Sequence, residues 1–218
     1  VTIGAVNNTS GQYLDSLVIN ADGPTDGIVT LQGDISVDGG AVTIDGLIRL
    51  PGSLTIDTED GDNQTGGNVN LAVNSGDVSA TAGDVDLTVT TNSTGNTAGN
   101  ISLPAFTSSG GNFVNDVTLN LAGTTAGTLT LNGSISLDAG TDAADVAVSG
   151  GGAVLVAATL TIDTEDGGDG DGGSIDLGTG MVAAAALGLV LLMDARGNGT
   201  GGNIDFGQVG NNAASNNF

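Results

Sequence analysis

The feature that most limits the fold of this chain is an internal repeat of about 100 residues. The segment TLQGDISVDGG from Thr30 aligns on TLNGSISLDAG from Thr130, and LTIDTED occurs both at Leu54 and at Leu160. GNISL from Gly99 likewise matches GNIDF from Gly202. These matches predict three divisions of one continuous array: a first copy at 1–100, a second at 101–203 and the start of a third at 204–218. We interpret the chain as a window of a longer array.

A shorter period lies inside the long one. Two strand-like runs joined by a loop rich in Gly, Asn and Thr recur four times, over Leu54–Leu71, Leu87–Leu103, Leu160–Leu177 and Leu191–Phe206. The runs are very short and alternate between aliphatic and polar side chains, which is typical of β-strands with one buried face. The sequence therefore predicts an all-β protein with a structural unit of about 30 residues.

Two architectures produce such a pattern, a parallel β-solenoid and a string of tandem β-sandwich domains. The core candidates are Val, Ile, Leu, Ala and Thr, and aromatic residues make up only 2% of the chain. A sandwich usually fills its central layer with bulky aromatic side chains, whereas a solenoid stacks rows of small aliphatic ones. We therefore predict a parallel β-solenoid and keep tandem β-sandwich domains as the alternative.

The charge of the chain excludes some partners. The net charge is −23, and the only basic residues are Arg49 and Arg196. Nucleic acids and anionic membrane surfaces are excluded as partners, because both are bound through basic surfaces. Divalent cations are the natural counterpart. The apolar run Met181–Met193 is too short to span a bilayer, and we predict that it forms a fully buried pair of strands.

The runs GDISVDGGAVTI, GGNVNLAVNSGDVSATAGDVDLTV and GTLTLNGSISLDAG resemble repeat regions of filamentous-haemagglutinin-type proteins, which are large bacterial surface and secreted proteins. The resemblance implies a right-handed parallel β-helix, an extracellular or cell-surface location, and self-stacking. It favours a structural role as a segment of a secreted, acidic filament, fibre or stalk whose copies associate head to tail.

The alternative function is an adhesin or a carbohydrate-binding module that recognises surface glycans. Such a module would show an exposed row of residues that departs from the repeat. The longest departure is the insertion Thr141–Ala158. An enzyme is not expected, because the chain has no His and no Lys and its acidic residues recur with the scaffold, whereas a catalytic pair should break the repeat.

The repeated acidic phrase is the candidate site. It holds both glutamates of the chain, and in LTIDTED the alternation places Leu54, Ile56 and Thr58 on one strand face and Thr55, Asp57 and Glu59 on the other. Clustered carboxylates beside Gly-rich turns are ligands that Ca²⁺ prefers. The calcium hypothesis covers Asp57, Glu59, Asp60, Asp62, Asp163, Glu165, Asp166, Asp169 and Asp171. The competing interpretation is a solvated loop of the scaffold.

Overall fold

A computed structural model describes residues 1–7, 13–21, 26–60, 64–71, 76–138, 143–166 and 170–210. These residues form 23 β-strands and no helix. Three parallel sheets wind into a β-solenoid of about seven turns. The solenoid prediction is confirmed. The sandwich alternative is wrong, because every pairing between these strands is parallel.

The three sheets, here named A, B and C, each take about one strand from every turn. Sheet A contains β1 (Thr2–Ile3), β3 (Ile28–Leu31), β6 (Leu47–Leu50), β9 (Asp77–Ala80), β12 (Ala105–Phe106), β15 (Ile135–Ser136), β18 (Leu160–Asp163) and β21 (Leu191–Asp194). Sheet B contains β4 (Ile35–Ser36), β7 (Leu54–Asp57), β10 (Val85–Thr90), β13 (Val114–Asn120), β16 (Val146–Ser149), β19 (Ile175–Asp176) and β22 (Ile204–Asp205). Sheet C contains β2 (Leu17–Asn20), β5 (Val42–Asp45), β8 (Val69–Leu71), β11 (Ile101–Leu103), β14 (Leu129–Leu131), β17 (Val154–Val156), β20 (Met181–Ala184) and β23 (Gln208–Val209).

The core is a set of aliphatic rows that run along the solenoid axis. In sheet B, Ile56 lies beside Val89, which lies beside Leu119 on the next coil, and all three are fully buried. Each inward side chain therefore packs against the residue one coil before and one coil after it. Because successive side chains of a strand point to opposite faces, the residues between these inward positions form the outer surface. The short period seen in the sequence is thus one coil of the solenoid.

The long repeat does not correspond to a whole number of turns. Repeat-equivalent strands differ by eleven in the strand order, as for β4 and β15 or for β7 and β18. Because a turn has three strands, eleven strands make three and two-thirds turns. Equivalent strands consequently lie in different sheets: β4 and β7 belong to sheet B, whereas β15 and β18 belong to sheet A. The two LTIDTED phrases thus lie on different faces of the solenoid.

The glycines that precede the sheet C strands stack on one another as a column along the solenoid. The column comprises Gly40, Gly67, Gly99, Gly127, Gly152, Gly180 and Gly207, one before each sheet C strand from β5 onward. From Gly67 onward, a Cβ atom at each position would clash with backbone of the preceding coil, and the carbonyl group of the preceding glycine is among the nearest atoms. Two coils can therefore approach to strand-pairing distance at this corner only where side chains are missing.

The apolar run Met181–Met193 departs from its prediction. It forms β20 in sheet C and β21 in sheet A, so the two strands are not paired with each other. The corner between them is exposed: Leu187 is 73% and Val190 57% accessible to solvent. The buried strand pair is therefore wrong. The run is buried along most of β20 and becomes exposed where the chain turns from sheet C to sheet A.

Candidate functional site

The first acidic phrase forms the corner at which the chain leaves sheet B. Leu54 and Ile56 point inward and Asp57 outward, as the alternation predicts. Strand β7 ends at Asp57, whose Oδ1 accepts a hydrogen bond from the Glu59 backbone N–H at 2.9 Å. The following turn rotates Glu59 into the protein, where it is only 1% exposed. The prediction that Glu59 shares the outer face with Asp57 is therefore wrong.

The buried side chains of this corner satisfy the backbone of its own loop. Glu59 Oε1 accepts a hydrogen bond from the Gln64 N–H at 2.9 Å. The Thr58 hydroxyl is fully buried and donates to the Gly67 carbonyl at 2.8 Å. Gly67 belongs to the glycine column, so Thr58 ties the start of the corner to its end. We name this arrangement the Thr–Glu corner.

The second phrase builds the same corner on another face. The Thr164 hydroxyl donates to the Gly173 carbonyl at 2.8 Å, and Glu165 Oε1 accepts from the Gly170 N–H at 3.0 Å. Asp163 Oδ1 accepts from the Glu165 N–H at 3.1 Å. This corner joins sheets A and B, whereas the first joins sheets B and C. The two glutamates thus have equivalent structural contacts in two different places.

The structure separates the residues of the calcium hypothesis. Asp60 and Asp166 are exposed, and Asp171 accepts a hydrogen bond from the Thr200 N–H at 2.7 Å. Asp62 and Asp169 lie outside the described residues. Among the residues that are described, no three carboxylates come together as a group that could hold a metal ion. Calcium binding at these corners stays a prediction.

Burial raises the pKa of Asp163, and the nearby charges of Asp194, Asp166 and Glu165 raise it further. The hydrogen bond from the Glu165 N–H acts in the opposite direction and lowers this pKa. Burial, as the largest effect, outweighs this hydrogen bond and disfavours the charged form of Asp163.

Sequence reasoning missed a second acidic feature, the aspartate ladder of Asp86, Asp116 and Asp145. The three residues lie on successive coils where the chain reaches sheet B. Asp116 Oδ1 accepts the Asp145 N–H at 2.8 Å, and Asp86 Oδ1 accepts the Asp116 N–H at 3.3 Å. Each carboxylate therefore binds the backbone of the next coil. The signal was available, because these residues recur with the period of one coil.

The neighbouring negative charges of the ladder disfavour the charged form of its central residue, Asp116. Burial raises the pKa of Asp116, and the charges of Asp86 and Asp145 raise it further, while the hydrogen bond from the Asp145 backbone lowers it. Uncharged side chains make the same contact between coils elsewhere: Asn68 Oδ1 accepts a hydrogen bond from the Asn100 N–H of the next coil at 2.8 Å. The acidic character of the ladder is thus not required for stacking.

The described part of the insertion Thr141–Ala158 does not leave the solenoid. It contributes β16 to sheet B and β17 to sheet C, in register with their neighbours. An adhesive row at this insertion stays a prediction.

No family model, no curated protein and no solved structure matches this chain. The described residues contain no helix that could cross a membrane. The geometry of the solenoid is therefore the main guide to function.

Proposed function

We propose that the chain is a structural segment of a secreted filament or cell-surface stalk, and that it extends by end-on stacking of further coils. The observation that carries this proposal is the structure of the two ends. The surface location rests on the resemblance of the repeats to bacterial surface proteins.

Each end of the solenoid presents three strand edges in the same order. β21, β22 and β23 are the last strands of sheets A, B and C within the described residues, and β1, β4 and β2 are the first. All strands run parallel, so the donors and acceptors of one end match those of the other. A strand edge of this kind is a template for another parallel strand.

The last described coil also exposes residues that are buried elsewhere in the repeat. Ile204 is 43% and Val209 61% exposed, whereas their repeat equivalents Ile101 and Phe106 are 0% and 1% exposed beneath the next coil. An apolar groove of about 310 Å³ opens beside Val209. It is lined by Val182, Leu189, Val190, Leu191, Met193, Phe206 and Val209. A further coil, from a longer chain or from a second copy, is the partner that the repeat itself provides.

The mass per unit length of isolated filaments tests this proposal. About seven turns at about 4.8 Å give the chain an axial length of about 34 Å, and its mass is 20.9 kDa. End-on stacking therefore predicts about 0.6 kDa per Å for a single filament, with a strong axial reflection near 4.8 Å. An amyloid-like stack of extended chains shows the same reflection but about 4 kDa per Å.

Two matched variants complete the experiment. Val209→Asp places a charge on the exposed end and should abolish filaments. Thr118→Asp places the same charge on the exposed outer face of sheet B and should leave them intact. Particles that stay single at submillimolar concentration, or equal filament formation by both variants, would contradict end-on stacking between chains.

A further inference from the structure

The charge of the solenoid is distributed unevenly among its three sheets. Strands of sheet A contain Asp77, Asp163, Asp194 and Arg49, and strands of sheet B contain Asp57, Asp86, Asp116, Asp176 and Asp205. Within the described residues, the strands of sheet C contain a single charged residue, Asp45, which is 5% exposed. Sheet C is therefore the one nearly uncharged face.

The corners beside sheet C extend this neutral surface. Four long segments contain no charged residue: 87–115, 117–137, 146–162 and 177–193. They cover both corners of sheet C at β11, β14, β17 and β20. We name the outer surface of these four strands, of β23 and of their corners the neutral face. On the same coils, the acids lie on sheets A and B and at the corner between them.

The neutral face becomes apolar toward the end of the chain. Its central row is Ser102, Thr130 and Leu155, one residue for each coil in direct register, and the next residue of the row, Ala183, is buried. None of these side chains is long and polar. The corner after β20 adds the exposed side chains of Leu187 and Val190. Apolar surface grouped in this way, in a chain so rich in carboxylates, is typical of a contact site.

We propose that the neutral face is a lateral contact between two copies of this chain, which pair side by side with their axes in one plane. Two molecules of charge −23 repel each other, and contact through sheet A or sheet B would bring rows of aspartates together. A basic partner would bind those acidic faces instead. A surface without charge is what a strongly acidic partner requires, and a second copy is such a partner. This inference is independent of end-on stacking.

The size of the face sets the strength of pairing. Five strands at about 4.8 Å and a width of about 18 Å give about 430 Å² per copy, or about 900 Å² in total. Stable dimers bury at least about 1,200 Å², so pairing of single segments should be weak and concentration-dependent. Salt should strengthen it, because screening reduces the repulsion between the remaining carboxylates. An interface held by ion pairs would show the opposite dependence.

Sedimentation of the full chain at submillimolar concentration, in about 0.05 and about 0.5 M NaCl, tests this contact. We expect a dimer fraction that rises with salt. Thr130→Asp with Leu155→Asp should abolish it, because both residues lie outward on the neutral face. Thr118→Asp with Ala147→Asp is the matched control, on adjacent coils of sheet B, and should keep the dimer. Val209→Asp should remove filaments and leave the lateral dimer.

Single cysteines provide a second measurement that does not depend on the aspartate variants folding. The chain contains no cysteine, so Thr130→Cys and Thr118→Cys each create one reactive site. Oxidation should link Thr130→Cys chains several times faster than Thr118→Cys chains. Equal rates, a strictly monomeric chain in high salt, or loss of the dimer in the sheet B control would overturn the proposal. So would a monomer that instead binds neutral lipid vesicles through Leu187.

Discussion

Substitution of Gly99 by alanine tests the close approach of coils at the glycine column. A Cβ atom at Gly99 would lie 2.8 Å from the Gly66 carbonyl oxygen and closer still to that of Gly67. Both obstacles are backbone, so one coil must move by about 1.4 Å or more to restore an ordinary contact distance. Hydrogen bonds on either side hold these two coils together, from Gly66 N–H to Thr97 O at 2.9 Å and from Val69 N–H to Asn100 O at 2.8 Å.

The expected loss follows from these contacts. Two weakened backbone hydrogen bonds cost about 1 kcal/mol each, and forced overpacking costs a further 1–3 kcal/mol or so. We therefore expect Gly99→Ala to lower the free energy of unfolding by about 3–5 kcal/mol. For a chain of this size the melting temperature should fall by about 10 °C, measured by far-ultraviolet circular dichroism.

The matched control is Gly52→Ala, because a Cβ atom there meets nothing within 4 Å. It should change the melting temperature by no more than about 2 °C. If Gly99→Ala is as stable as the control, the coils do not approach each other at this column, and the steric explanation of the repeated glycine is refuted.

Three further predictions concern the acidic corners and the ladder. Thr58→Val leaves the Gly67 carbonyl without its buried donor and should lower the free energy of unfolding, measured with urea, by about 1–3 kcal/mol. Thr58→Ser keeps the hydroxyl and should lower it by about 1 kcal/mol. A larger loss for serine than for valine would contradict the corner hydrogen bond. Because the pKa of Asp116 is raised, this carboxyl binds a proton more readily in the folded chain than in the unfolded one, so its contribution to stability should rise as the pH falls from 7 through that pKa. Asp116→Asn should raise the melting temperature at pH 7 and flatten this dependence; an unchanged pH profile would show that the ladder has no electrostatic cost. The calcium hypothesis predicts that about 10 mM Ca²⁺ stabilises the chain by about 1.4–2.7 kcal/mol for each site with a Kd of about 10⁻⁴–10⁻³ M, and an unchanged melting temperature would exclude it.

The sequence was sufficient to predict the coil. The short alternating runs predict the strands, and their recurrence with a period of about one coil predicts that the coils stack. Only repeated burial of the same positions maintains such a pattern. The inward positions of β7 and β18 were therefore correct. The rotation of the long repeat was not visible, because it depends on counting strands as short as β4, which has two residues.

The acidic corner shows why the site was harder to predict. Alternation gives the direction of a side chain only while the strand continues, and β7 ends two residues before Glu59. A carboxylate that follows a strand can turn inward when loop N–H groups are there to receive it. Leu187 shows the opposite departure, an apolar side chain that is exposed. Hydropathy alone does not reveal where the chain turns from one sheet to the next.

Distances between spin labels on sheet C test the central claim, a single stack of coils in register, most directly. Val18, Thr43, Asn70, Ser102, Thr130 and Leu155 occupy one outward row on consecutive coils. Label pairs are introduced as cysteines at Val18 with either Thr130 or Leu155, and the labelled chain is diluted with unlabelled chain. The solenoid predicts separations of about 19 Å for the first pair and about 24 Å for the second. Separations above about 35 Å, or no increase of about 5 Å between the pairs, would contradict the continuous stack.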